Sequence, residues 1–149
     1  MFFFDFVKFP LGWIKISATN SFITRISFHD SIIDPNPNHI TEICKKNLIA
    51  YLNKQTHTVR CPFILTSATP FQQLVWFATL QIPYGQTVSY KHLAEMIGRP
   101  NAFRAVAQAL KKNPIPIIIP CHRIIYANGL LGGYNYKTNI KSFLINLEK

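Results

Sequence analysis

Acidic side chains are scarce in this chain: six Asp and Glu stand against 16 Lys and Arg in 149 residues, for a formal net charge of +10 at pH 7. Such an excess has three ordinary explanations: nucleic acid, an anionic membrane surface, or solubility alone. Cysteine is also sparse. Three residues, Cys44, Cys61 and Cys121, with no Cys-x-x-Cys pair, exclude a disulfide framework and give no zinc signature. Neither half offers a convincing ligand cluster, so no metal or other cofactor is expected, and the thiols read as those of a reduced, cytoplasmic protein. Long apolar runs are missing too. The opening stretch, Met1 to Phe9, is too short to span a bilayer, is interrupted by Asp5 and Lys8, and follows no signal-peptide n-region. With 48% hydrophobic and 13% aromatic residues, the chain can bury a core, which excludes a disordered basic tail. The length suits one domain or two small lobes.

The charge is uneven. Residues 1–69 carry seven basic and four acidic side chains, a net of +3, whereas residues 70–149 carry nine and two, a net of +7. Any polyanion-binding surface is therefore expected in the second half. The first third reads as short antiparallel strands: the run ending at Phe9, a second from Trp13 through Ile16, and a third from Phe22 to Phe28. Pro10-Leu11-Gly12 and Ala18 to Ser21 supply the turns. After the breaker Asp34 to Asn38, the residues Ile40, Ile43, Cys44, Leu48, Tyr51 and Leu52 recur at helical spacing. That predicts an amphipathic helix of about four turns with Cys44 on its buried stripe. Asn53 to Pro62 reads as loop, and the boundary between lobes is expected between Phe63 and Pro70, dividing residues 1–66 from 67–149. Cys44 and Cys61 are read as structural.

The second half is helical. Thr69 is placed to cap a helix beginning at Pro70, the favoured first position, and Pro83-Tyr84-Gly85 ends that segment. Ser89 caps a second helix over Tyr90 to Ile97, and Gly98 stops it. A turn at Arg99-Pro100-Asn101 leads into a third, Ala102 to Lys112, rich in alanine and carrying Arg104 near its start. Two short helices across such a turn suggest a helix-turn-helix.

Asn113-Pro-Ile-Pro-Ile-Ile-Ile-Pro-Cys-His-Arg123 stands apart from the rest. Ile117 to Ile119 reads as a short buried strand that Pro120 stops, aiming Cys121. A thiolate is a far better nucleophile than a thiol, so a reactive cysteine needs a base or a cation beside it. His122 can serve as the base, directly or through water, and Arg123 adds positive potential.

The segment Pro120-Cys-His-Arg-Ile124 resembles the active-site signature of the O6-alkylguanine-DNA alkyltransferases, the methylated-DNA–protein-cysteine methyltransferases. Other landmarks of that family stand in order around it: Thr69-Pro-Phe-Gln72 with Val75-Trp76, Ile82-Pro-Tyr-Gly85, Ser89-Tyr90, Arg104-Ala-Val106, Asn113-Pro114, Gly129, Gly132-Gly-Tyr134, Lys141 and Glu148. The match runs from Thr69 to Glu148, with a looser likeness around Phe9-Pro-Leu-Gly12. The resemblance implies an α+β protein: a small N-terminal antiparallel sheet lobe with a helix, ribonuclease H-like, and a C-terminal helical lobe with a helix-turn-helix. It implies irreversible, one-turnover transfer of an alkyl group from O6-alkylguanine in double-stranded DNA, or O4-alkylthymine, to Cys121. No cofactor or membrane is implied, and the acting form is a monomer.

Roles follow from the same resemblance. His122 would deprotonate Cys121 through a water, Glu148 would orient the imidazole, and Asn113 would hold the active-site turn. Tyr90 would help turn the nucleotide out and stabilise the departing guanine at N3. Arg104 would fill the space of the extruded base, with Ala102, Ala105 and Arg123 also on the DNA side. Pro116, Tyr134 and Asn135 would wall the pocket. The chain departs from the family pattern at Phe103, Ala107 and Gln108, where smaller residues are usual, and at 135–139, where a glycine-containing loop is usual. The alternative is a non-catalytic helix-turn-helix binder or lesion sensor, yet sensors of that kind lack the cysteine present here. A cysteine hydrolase is a third reading that no oxyanion-hole motif supports.

Overall fold

The computed structural model describes residues 2–131 and 138–149, and its backbone divides into two compact units, Met1–Thr66 and Ser67–Lys149. In the first unit, β1 (Phe3–Phe9), β2 (Gly12–Ala18) and β3 (Ile23–His29) form an antiparallel meander in the order β1-β2-β3. Period-two alternation sets its register: Ile14, Ile16 and Ala18 of β2 are fully buried, and the residues between them are half-buried. The turn into β2 requires Gly12. Its φ is +131°, and a Cβ there would lie 2.6 Å from the carbonyl oxygen of His29.

Helix α1 (His39–Leu52) covers the sheet, burying Ile40, Cys44, Leu48 and Tyr51 at i, i+4 and neighbouring spacing. Its N-cap, Asn38, is the last residue of the stretch read as a breaker. Asn38 Oδ1 accepts from Thr41 N (2.9 Å) and Thr41 Oγ1 accepts from Asn38 N (2.8 Å), a reciprocal cap. The segment beyond α1 is tied back by Asn47 Nδ2, which donates to Arg60 O, and by Ile23 N, which donates to Pro62 O at 2.8 Å.

In the second unit, α2 (Pro70–Thr79) opens with the expected cap: Thr69 Oγ1 accepts from Gln72 N (3.1 Å), and Gln72 Oε1 accepts from Thr69 N (3.0 Å). The helices α3 (Tyr90–Met96) and α4 (Phe103–Lys111) pack on each other and on α2. Ser89 Oγ caps α3 by accepting from His92 N, and buried Trp76 Nε1 donates to Ala109 O at 2.9 Å, joining α2 to α4. Two short parallel strands, β4 (Val88–Ser89) and β5 (Ile124–Ile125), pair Val88 with Ile124 and Ser89 with Ile125. The last helix, α5 (Thr138–Leu147), packs on a 3-10 turn at Cys121–Arg123. No helix among the described residues is long and apolar enough to cross a membrane.

One expected element is absent. Ile117 to Ile119 does not form a strand: residues 116–119 fold as a tight turn closed by a bridge between Pro116 and Ile119, with Ile117 at φ +74°. A β-branched residue is rare in that left-handed region and is held there only when its surroundings over-determine it.

Candidate active site

That turn is what aims Cys121. Buried Asn113 holds it from inside: its Nδ2 donates to Ile119 O (2.8 Å), and its Oδ1 accepts from Ile115 N (2.9 Å). Ile119 O also accepts from Cys121 N at 2.8 Å, so the backbone of the candidate nucleophile is fixed to the atom that Asn113 grips. Asn113→Ala is expected to strip the buried Ile115 N–H of its partner and leave Ile119 O with Cys121 N alone, costing about 1–3 kcal/mol. Urea denaturation should show that loss as a lower midpoint at unchanged slope.

Cys121 opens the 3-10 turn and is 6% exposed, and none of the three cysteines is in a disulfide. His122 follows, fully buried, with Nε2 at 2.7 Å from Glu148 Oε2. An ionised carboxylate only accepts, so Nε2 carries the ring proton and Nδ1 keeps its lone pair. Nδ1 is buried with no hydrogen-bond partner among the described residues. Burial, the largest effect on His122, lowers its pKa from the usual imidazole value, against the opposing pull of Glu148. The ring is therefore a neutral base at neutral pH.

Glu148 is itself gripped through both carboxylate oxygens. Its Oε2 accepts from His122 and from Arg123 Nη2 (2.9 Å), while Oε1 accepts from Arg123 Nε (2.9 Å) and from Gly85 N (3.2 Å). Arg123 is thus not with the surface residues where a role on the DNA side would put it. It is buried and forked onto Glu148, the bidentate geometry that suits a guanidinium to a carboxylate. Its Nη1 donates to Ile82 O at 2.7 Å, and the guanidinium lies over the Tyr84 ring. Gly85 has φ +79°, and a Cβ there would lie 3.0 Å from Glu148 O, so the close approach needs glycine.

Tyr90, the first residue of α3, is brought beside this turn by the β4–β5 pairing just before it. Its ring is buried and packs on Tyr126 at 5.0 Å between centroids, and burial, followed by Tyr126 and Cys121, pushes its pKa up to about 12. The hydroxyl therefore stays a proton donor at any physiological pH. Its oxygen also accepts from Lys141 Nζ at 3.3 Å. Lys141 is fully buried on α5, and no carboxylate among the described residues lies within ion-pair distance of it. Burial lowers its pKa to about 8, and Cys121 pulls the other way.

The remaining residues fall elsewhere. Pro116 is buried in the active-site turn. Arg104 and Ala105 are exposed on the first turn of α4 and Ala102 is half-buried beside them. Tyr134 and Asn135 lie outside the described residues. Sequence reasoning missed the supports. Ile82, Tyr84 and Gly85 were legible only as the end of a helix segment, although they stand together as one family landmark. Among the described residues, no group of three or more His, Cys, Asp or Glu is placed to hold a metal ion.

Comparison with known proteins gives the family. Residues 70–149 match the family described as 6-O-methylguanine DNA methyltransferase, DNA binding domain. The constitutive methylated-DNA–protein-cysteine methyltransferase of Bacillus subtilis (strain 168) is 37% identical over 151 residues, covering 94% of this chain and 91% of that protein. The crystal structure of the Mycobacterium tuberculosis O6-methylguanine methyltransferase superposes with a TM-score of 0.89 at 35% identity, covering 100% of this chain and 93% of that one. The Mycobacterium tuberculosis protein in complex with DNA gives the same TM-score at 37% identity, covering 98% and 92%. The chain belongs to the methylated-DNA–protein-cysteine methyltransferase family.

Proposed function

We propose that this protein repairs DNA by direct reversal, moving an alkyl group from guanine O6 to Cys121 in one irreversible turnover. The observation that carries the reading is the buried line Cys121, His122, Glu148, in which the carboxylate fixes the tautomer and leaves Nδ1 basic. A water relays the Cys121 proton to Nδ1. The thiolate attacks the alkyl carbon, the C–O6 bond breaks, and the electron pair leaves with the base. Tyr90 donates a proton to N3 of the departing guanine. The thioether formed is stable, which makes the protein a reagent consumed one molecule per lesion.

Residues 67–149 make up the DNA-binding and transferring part, with α3 and α4 acting as a helix-turn-helix in the minor groove. The outward face of α4 carries Arg104, Gln108 and Lys111, all exposed. Arg104 takes the place of the extruded nucleotide, and Ala102 and Ala105 are small enough to let the helix approach the sugar-phosphate backbone closely. The extrusion costs a few kcal/mol, least at a damaged pair. Pro116 walls the base pocket. Nothing in the reactive set requires a second copy of the chain, so the acting form is a monomer. Its unbridged thiols suit the reducing cytoplasm.

The test is stoichiometry. Duplex carrying O6-methylguanine, added in excess, should methylate the peptide 113–123 to one equivalent per protein and no further. An intact lesion beside an unmodified peptide would sink the reading. Arg104→Ala is expected to slow transfer from duplex at least tenfold while leaving reaction with free O6-benzylguanine unchanged. Single-turnover kinetics on both substrates measures the split, and equal losses would refute the plug role.

The buried ammonium gives the reaction a pH dependence. While Lys141 is protonated, Nζ donates to the Tyr90 oxygen and leaves the phenolic proton for the base. With its pKa lowered to about 8, that charge is present below pH 8 and lost above it. Single-turnover transfer should therefore slow on the alkaline side. Lys141→Met should lack this limb and run slower by roughly 100-fold, the order of one lost transition-state donor. A wild-type profile flat through that range would leave Lys141 outside the chemistry.

A further inference from the structure

Two thiols remain that alkyl transfer does not use. Cys44 is fully buried on the inward stripe of α1, and Cys61 is half-buried in the segment that follows the helix. Hydrogen bonds on both sides of Cys61 hold that segment against the helix and the sheet. Asn47, nearly one turn beyond Cys44 on α1, donates through Nδ2 to Arg60 O. Ile23 N of β3 donates to Pro62 O at 2.8 Å, and Ile64 N returns a bond to Ile23 O at 3.0 Å. With its neighbours tied down in this way, Cys61 is held beside the stretch of α1 that carries Cys44, close enough for each thiol to shift the other.

The pair is unsymmetrical. Interaction with Cys61, with burial added, pushes the Cys44 thiol up, so Cys44 keeps its proton. The same interaction draws Cys61 down from the ordinary thiol value, against burial. A thiolate with access to solvent is the form that oxidants attack, and a second thiol in contact can resolve the product. Reading both cysteines as merely structural overlooks this contact, which joins residues 17 positions apart.

We propose that Cys61 and Cys44 form a peroxide-reactive modification site within residues 1–66, chemically separate from Cys121, in which Cys61 is oxidised first and Cys44 closes a disulfide. The electrons balance with hydrogen peroxide as the oxidant. The Cys61 thiolate attacks one peroxide oxygen, the O–O bond breaks, and the hydroxide released takes a proton to become water. Cys61 is then a sulfenic acid. The Cys44 sulfur attacks the Cys61 sulfur, the S–O bond breaks, and the second hydroxide leaves as water with the Cys44 proton. Two thiols have lost two electrons, and one peroxide has become two waters. The disulfide ties α1 to the segment after it and restrains the unfolded chain.

The experiment adds hydrogen peroxide to the full chain carrying Cys121→Ser, so that only these two thiols remain. The intact mass should fall by two hydrogens, and tryptic digestion should release peptide 26–45 linked to peptide 61–91. Dithiothreitol should reverse both changes. The oxidised protein should melt higher than the reduced one. With dimedone present, Cys44→Ser/Cys121→Ser should be labelled at Cys61, whereas Cys61→Ser/Cys121→Ser should take no label. Thiols that both stay open to alkylation after peroxide sufficient to oxidise Cys121 of wild type would overturn the site. Label on Cys44 would overturn the order of attack, and a lower melting temperature on oxidation would overturn the preformed contact. The linked peptide is sought in wild type as well, which needs no variant to fold. Methylation of Cys121 is measured separately, so failure of either reading leaves the other standing.

Discussion

Cys121→Ser is expected to abolish methyl transfer while leaving duplex affinity within about twofold of wild type, inside the range of a substitution away from a contact surface. The chemistry sets the first half. A serine hydroxyl ionises far above a thiol, and His122 is a weakened base because burial lowers its pKa. The relay that suffices for a thiol cannot generate an alkoxide, so the loss should be on the order of 10⁶ in rate, as for removal of other enzyme nucleophiles. Geometry sets the second half. Cys121 is 6% exposed and lies in the 3-10 turn, whereas Arg104 and Ala105 are exposed on α4. Mass analysis of the peptide 113–123, which contains no other cysteine, reads the transfer. Titration of labelled duplex reads the affinity. Residual methylation of the serine variant would show that His122 is a stronger base than its burial implies.

What the sequence made legible was local. Thr69 before Pro70 with Gln72 three residues on, and Ser89 before Tyr90, are caps written within four residues, and both helices begin there. The alternation of Ile14, Ile16 and Ala18 is likewise a short-range signal. Asn38 and Thr41 were equally local, yet the prolines at 35 and 37 hid the cap inside a breaker. Cys121 and His122 were legible as a nucleophile with a base beside it, whereas Glu148 came only through the family resemblance.

The failures have a common cause in contacts beyond the reach of local patterns. Three isoleucines favour a strand on intrinsic preference, but Pro114, Pro116 and Pro120 remove donors around them, and Asn113 takes up the backbone groups a ladder would use. Tertiary context overrides propensity there. Arg123 beside a nucleophile in a basic half invites a phosphate. Its fork instead closes on a carboxylate 25 residues away, which no spacing rule reveals. Lys141 entered only as a landmark of the family resemblance, and its burial emerges only once α3 and the active-site turn are seen around it.

The same long-range fork sets the other large effect, at Glu148. Glu148→Ala strips the partner from a buried guanidinium and from a buried imidazole N–H together. Breaking a buried ion pair on one side costs about 3–5 kcal/mol, so the variant should unfold at markedly lower urea. Glu148→Gln keeps the volume and separates the catalytic share. An amide that turns its NH₂ toward His122 draws the ring proton from Nε2 to Nδ1, and the nitrogen meant to take the Cys121 proton no longer can. Loss of the orienting carboxylate in a triad of this logic is worth up to roughly 10⁴ in rate. The double variant Glu148→Gln/Arg123→Met then tells the two roles apart. Removing the stranded guanidinium should restore much of the stability, since an apolar replacement of a buried pair is often neutral. It should restore none of the rate, because His122 still lacks its carboxylate. Denaturation midpoints and single-turnover transfer on the same preparations decide it. Recovery of both together would make Glu148 a packing residue and leave His122 to find its tautomer unaided.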